Sequence, residues 1–101
     1  MFDILIRSGL VVDGSGTAGF QADVAIAGGR IAEVGLLADA GATTVIDATG
    51  LVVAPGFIDM HSHADFSLPV CPTAESLLHQ GITAAVVGQC GFSPAPLMEE
   101  T

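Results

Sequence analysis

Pro55-Gly56-Phe57-Ile58-Asp59-Met60-His61-Ser62-His63-Ala64-Asp65 is the stretch on which the reading of this 101-residue chain turns. Its first half is apolar and its second half polar. In a strand, alternate side chains share a face. Asp59, His61, His63 and Asp65 then fall in one row, with Ile58 and Met60 on the other side. Two imidazoles two residues apart on one face can converge on a divalent metal, and carboxylates nearby can join the site or orient the rings. The same alternation also marks the wet face of an ordinary strand. Position favours the metal: the polar row starts at the C-terminal end of an apolar run, and parallel α/β folds bind ligands at that end.

Downstream, the signals predict a helix over Thr73–Gln80. Pro72 precedes it, Thr73 is its N-cap, Glu75 lies in the first turn and Gly81 follows the last residue. Leu77 and Leu78 supply its buried stripe. Ile82–Val87 reads as a strand, apolar or small on both faces, which suits a parallel sheet covered by helices. Strand, helix and strand make a βαβ unit. If the two strands are parallel, Cys90, in Val87-Gly88-Gln89-Cys90-Gly91, reaches the sheet edge that carries His61 and His63. A thiolate is a good zinc ligand, and the flanking glycines allow a tight turn around it. The plain alternative is a small buried thiol.

Other residues carry weaker signals. Cys71, between Pro69 and Pro72, reads as a packed loop cysteine, and a Cys71–Cys90 disulfide is disfavoured in a reducing compartment. His79 complements the helix dipole in the last turn rather than binding metal. Ser93 either hydrogen-bonds a substrate or holds the turn before Pro94 and Pro96. Asp65 either supports the metal shell and substrate or caps its loop. Gly28-Gly29 is a turn and not a phosphate loop, because no Lys-Ser/Thr pair and no helix follow it.

Upstream, residues 1–54 read as an all-β layer of about six short strands. Phe2–Arg7 and Leu10–Val12 are followed by a turn at Asp13-Gly14-Ser15-Gly16. Asp23–Ala27 and Arg30–Val34 flank Gly28-Gly29, a two-residue hairpin signal in which both residues need positive φ. Thr44–Asp47 and Leu51–Ala54 flank Ala48-Thr49-Gly50 as a second turn-linked pair, and Leu36–Gly41 is loop. The chain thus divides into 1–54 and 55–101.

Composition bounds the function. Two basic residues, Arg7 and Arg30, stand against eleven acidic ones, and the formal net charge is −9. That excludes nucleic-acid binding through phosphate neutralisation and argues against docking on an anionic membrane. Half of the residues are hydrophobic and mean hydropathy is +0.68. A small free-standing domain needs a more polar exterior than this. Part of the apolar surface is therefore expected to face a partner or the rest of a longer protein. Asp3 and Arg7 interrupt any secretory signal. The longest uncharged run, Ile82–Met98, holds Gln89, Pro94, Pro96 and two glycines, so it is no membrane span. A cytoplasmic location is the expectation, and the few cysteines agree with it.

Pro55 to His63 resembles the first barrel strand of the amidohydrolase superfamily, metal-dependent hydrolases with a distorted (β/α)8 barrel and a small β-sandwich. Gly81-Ile82-Thr83-Ala84-Ala85-Val86-Val87-Gly88-Gln89-Cys90-Gly91-Phe92-Ser93-Pro94-Ala95-Pro96 narrows the resemblance to the N-acyl-D-amino-acid deacylase (D-aminoacylase) branch. That branch commonly has Asn where this chain has Gln89, and often an acidic residue at Ala64. The resemblance implies an α/β protein: the N-terminal half of a small β-sandwich over 1–54, then the first strand-helix-strand of the barrel over 55–101. It implies zinc, as one or two divalent ions, with Cys90 on the tightly held ion and His61 and His63 at the first-strand metal position. It implies hydrolysis of a small N-acyl-D-amino acid to a carboxylate and a free D-amino acid. The catalytic aspartate and further histidine ligands come from later strands that this chain lacks. A whole barrel needs about 250 residues, so the chain reads as the N-terminal fifth of such an enzyme, inactive alone and in need of the remainder to complete its fold. Two other readings stay open. A dihydropyrimidinase-like or dihydroorotase-like enzyme shares the His-x-His strand but uses a carbamylated lysine instead of a cysteine. A β-rich binding or assembly module would have no catalytic role.

Overall fold

The computed structural model describes residues 1–95. The chain forms two compact units that divide after Pro55.

The first unit is a single five-stranded sheet. Strand β1 (Phe2–Val11) lies at its centre, with β2 (Phe20–Ala27), β3 (Arg30–Gly35), β4 (Ala42–Asp47) and β5 (Val52–Val53) around it. The order is β3-β2-β1-β4, with β5 also on β1. The β2–β3 hairpin turns through Gly28 and Gly29 at φ +58° and +72°, as the Gly-Gly pair predicts. Two expectations are corrected. The first two strands are one strand: a bulge between Ile6 and Gly9, with Ser8 at φ +60°, lets β1 run on where the sequence suggests a break. The segments around Ala48-Thr49-Gly50 are not paired with each other. Both β4 and β5 run parallel to β1 along its edge, opposite Phe2–Arg7 and Leu10–Val11 respectively. The Ala48 turn bridges them, with Ala48 N donating to Arg7 O and Leu10 N to Leu51 O. A bulge on the central strand thus faces a turn on its neighbour. Val11, Ala22 and Val24 form the core, with Ile6 and Val53 packed against it.

The second unit opens with β6 (Phe57–Asp59), followed by helices α1 (Ala64–Ser67) and α2 (Glu75–Leu78) and strand β7 (Ile82–Ala85). Strands β6 and β7 are parallel, with Asp59 opposite Ala85. Their close approach requires Gly56: a Cβ there would overlap the Thr83 side chain, whose own Cβ would lie 2.7 Å away. The long helix expected over Thr73–Gln80 is shorter. Cys71–Ala74 forms a turn (Ala74 N to Cys71 O, 3.1 Å), and Ala74, at φ +49°, stands at the N-cap in place of Thr73. Leu78 is exposed rather than part of a buried stripe.

Candidate metal centre

Strand β6 ends at Asp59, two residues before the first histidine. The polar row is therefore not a strand face. The Asp59 carboxylate accepts from His61 N at 3.1 Å and bends the chain out of the strand. Buried Ser62 accepts from Ala64 N at 3.1 Å just ahead of α1. Asp65 consequently sits in the first turn of that helix. His63 is the N-cap of α1 and makes no side-chain capping bond.

The β6 and β7 chains stay paired beyond their strands. Val86 N donates to Asp59 O (2.8 Å) and Ser62 N to Val86 O (3.0 Å). This ladder brings the two outgoing loops to one edge, as parallel pairing requires. Past β7 the chain makes a 3-10 turn, Gln89–Gly91. Gly88 and Gly91 have φ of +74° and +71°, and Cys90 itself φ +57°. A side chain in that region costs about 1–2 kcal/mol, and such strain is typical of residues held for function.

The result is a cluster of His61, His63 and Cys90. One donor atom of each lies within 4.8 Å of the others, and all three residues are exposed. Cys90 Sγ is 3.4 Å from His61 Nε2. The imidazole rings meet edge to face, with centroids 5.7 Å apart. Two donors on one tetrahedral zinc, at its usual N and S bond lengths, are about 3.5 Å apart. The Cys–His pair matches that separation, and the mixed nitrogen and sulfur set suits zinc.

The other candidates lie outside the cluster. Both carboxylate oxygens of Asp65 are shielded and have no hydrogen-bond partner among the described residues. Ser93 Oγ accepts from Ala95 N at 3.2 Å, a turn-holding bond. Pro96, the end of the motif that begins at Gly81, lies outside the described residues, as does Met98, where the longest uncharged run ends. Cys71 is exposed rather than packed, and both cysteines are free thiols. His79 caps the C-terminus of α2, away from the cluster. Sequence reasoning missed Gln89, whose Nε2 donates to Met60 O at 3.3 Å and lies 3.5 Å from Val86 O. No helix of the described residues is long and apolar enough to cross a membrane.

Comparison with known proteins shows the family. A D-aminoacylase of Alcaligenes xylosoxydans xylosoxydans is 49% identical over 96 residues, 95% of this chain and 20% of the relative. The crystal structure of an N-acyl-D-glutamate deacylase from Bordetella bronchiseptica, complexed with zinc and a phosphonate inhibitor, superposes with a TM-score of 0.88. It is 43% identical and covers 99% of this chain and 22% of its own. A dihydroorotase of Streptococcus thermophilus is 42% identical over 98 residues, 97% of this chain and 22% of the relative. The chain thus spans about a fifth of the length of the relatives it matches. The amidohydrolase family model matches residues 44–99, more than half of the sequence and a span that includes His61, His63 and Cys90, and the chain belongs to the amidohydrolase family.

Proposed function

We propose that this chain is the metal-binding opening part of an enzyme that hydrolyses N-acyl-D-amino acids to a carboxylate and a D-amino acid. Residues 1–54 would be part of a small β-sandwich, and residues 55–101 the start of a (β/α)8 barrel. The observation that carries the reading is the meeting of His61, His63 and Cys90 at the C-terminal edge of a parallel strand pair. Barrel hydrolases work at that edge. When bound, zinc supplies Lewis-acid polarisation of an acyl carbonyl and acidification of water. The chain's own part is to hold that ion. Cys90 supplies the anionic donor of the tightly held ion, and His61 and His63 the neutral donors of the first-strand metal position beside it. Asp59 fixes the backbone at His61 through its 3.1 Å bond. Ser93 is exposed three residues after Cys90, and its hydroxyl, already accepting from Ala95, keeps its proton to donate to a substrate acceptor. The unpartnered carboxylate of Asp65 is assigned to the surroundings of the substrate and metal, where a donor would satisfy it. The catalytic aspartate, the remaining ligands and the rest of the barrel belong to other parts of the enzyme. The free thiols accord with a cytoplasmic setting.

A dihydroorotase-like activity is the second reading, favoured by the 42% identical relative. The full-length protein, assayed on N-acetyl-D-amino acids, their L forms and dihydroorotate, separates the two. Release of D-amino acid, lost together with zinc in Cys90→Ala, is expected. Turnover of dihydroorotate with zinc retained in Cys90→Ala would overturn it.

A further inference from the structure

We propose that Gln89 is a positioning residue of this centre, its side-chain amide fastening the turn that carries Cys90 to the segment that carries His61. The inference rests on the metal reading above and adds a residue that binds no metal itself.

The turn has little else to hold it. Gly88 and Gly91 have no side chains, and both are in the left-handed region with Cys90 between them. Backbone pairing between the two outgoing chains stops at Ser62 N–Val86 O, three residues short of the turn's first residue. Cys90 is exposed, so no packing fixes its rotamer. Among the described residues, one side-chain hydrogen bond ties the turn to the other loop, apart from the Cys90–His61 contact itself. It is the Gln89 amide, 3.3 Å from Met60 O, the carbonyl that immediately precedes His61. The same nitrogen lies 3.5 Å from Val86 O, the carbonyl already paired with Ser62 N. One NH2 group thus faces one carbonyl from each loop, and it can donate to both. Each neighbour of the bond is a donor residue: His61 follows Met60, and Cys90 follows Gln89. Releasing it frees the glycine-flanked turn to relax the Cys90 backbone, which draws Sγ away from the imidazoles.

The test uses cobalt(II) as the probe on the metal-free, full-length protein. A cobalt–thiolate bond gives a charge-transfer absorption that imidazole ligation does not. Gln89→Met keeps the length and removes the donor. Gln89→Glu keeps the shape and sets a carboxylate against two carbonyl oxygens. Both are expected to lose most of the thiolate band and to bind cobalt at least about tenfold more weakly, the usual scale for a residue that orients a ligand. The metal-free unfolding midpoint of both should match wild type. A thiolate band and affinity unchanged in both variants would overturn the role of Gln89 and leave the metal centre standing. A wild-type protein that binds cobalt without the band would overturn both, because Cys90 would then not be a ligand. Equal loss of folded structure and of cobalt would also count against it, since Gln89 would then merely support the fold.

Discussion

At Cys90 the backbone and the side chain make opposing demands. The residue sits at φ +57°, ψ +22°, where glycine is at ease and a Cβ costs about 1 kcal/mol. Glycine occupies positions 88 and 91 of the same loop, so the fold evidently accepts it there. On the proposed reading, the thiol as a metal donor is the reason to keep a side chain at 90. Two substitutions separate the terms. Cys90→Gly and Cys90→Ala both remove the sulfur, and elemental analysis of either full-length variant should find zinc lost. Without metal they should differ. Cys90→Gly should unfold at higher denaturant than Cys90→Ala, by about 1 kcal/mol, because only glycine relieves the strained φ. Equal stability would mean that the turn carries no strain. The identity of this residue was legible in the sequence through its place after a strand. Its conformation was not, because nothing in Gly-Gln-Cys-Gly says which of the central residues adopts the glycine-like backbone.

At the scale of elements, two contacts decide the architecture, and neither is written in hydrophobic periodicity. The first is Asp23, whose carboxylate accepts from Ser8 N at 2.8 Å and Leu37 N at 2.9 Å. It pins the bulge of β1 and the loop after β3 at once. The bond from Ser8, then that from Leu37, and the nearby Arg7 charge hold its carboxyl below the usual carboxylate range. A lowered folded value means that this stabilisation is present above about pH 4, the ordinary Asp range. It is lost as pH falls through the folded pKa. Asp23→Asn keeps one acceptor and loses the charge and the second bond. It should destabilise the protein by about 1 kcal/mol at neutral pH. Urea titrations across pH should show the gap to wild type closing below about pH 4. A gap constant with pH would rule out the charged carboxylate as its source. The second contact is Gly56 against Thr83. Gly56→Ala should push β6 off β7 at a cost of about 1–3 kcal/mol. Thr83→Gly in the same chain should recover most of that loss, a coupling that a double-mutant cycle measures. Both clasps explain where the sequence reading slipped. The hairpin, the parallel pair and the meeting of His61 with Cys90 follow from local signals: Gly-Gly, an apolar run, a ligand at a strand end. The merging of β1 depends on Asp23 reaching its bulge from a neighbouring strand, the docking of β4 and β5 on backbone pairing between segments distant in sequence, and the early end of β6 on the bond Asp59 accepts from His61 N. The expected row of Asp59, His61 and His63 failed as geometry because Asp59 turns on its own loop. The two histidines still converge, since a bend and a helix start bring them together as well as a strand would.

Across the whole molecule the decisive quantity is apolar surface left in water. In the second unit Phe57 and Ile58, neighbours that point to opposite faces of β6, are 64% and 62% exposed. Both faces of that sheet are therefore uncovered, and two strands alone are at best marginally stable. In the first unit Val45 and Ile46 of β4 are likewise exposed on opposite faces, together with Ile31, Leu51 and Val52. Single exposed apolar residues need no explanation, but contiguous faces of them mark surfaces built to be covered. The sequence announced this surplus through its hydropathy, though not where it would lie. A partner surface or further chain would cover it, and the relatives matched are about five times as long. The consequence is testable on residues 1–101 expressed alone. The polypeptide should bind a hydrophobic dye strongly, self-associate on size-exclusion chromatography and unfold without a cooperative transition, with or without zinc. It should release no amino acid from N-acetyl-D-amino acids, because the proposed reading puts the catalytic aspartate in the rest of the enzyme. A sharp, reversible transition from a monomer lacking zinc would show that the exposed faces need no cover, and the chain would then be a self-sufficient β-rich module. Turnover by that same monomer would go further and remove the need for the rest of a barrel from the functional argument altogether.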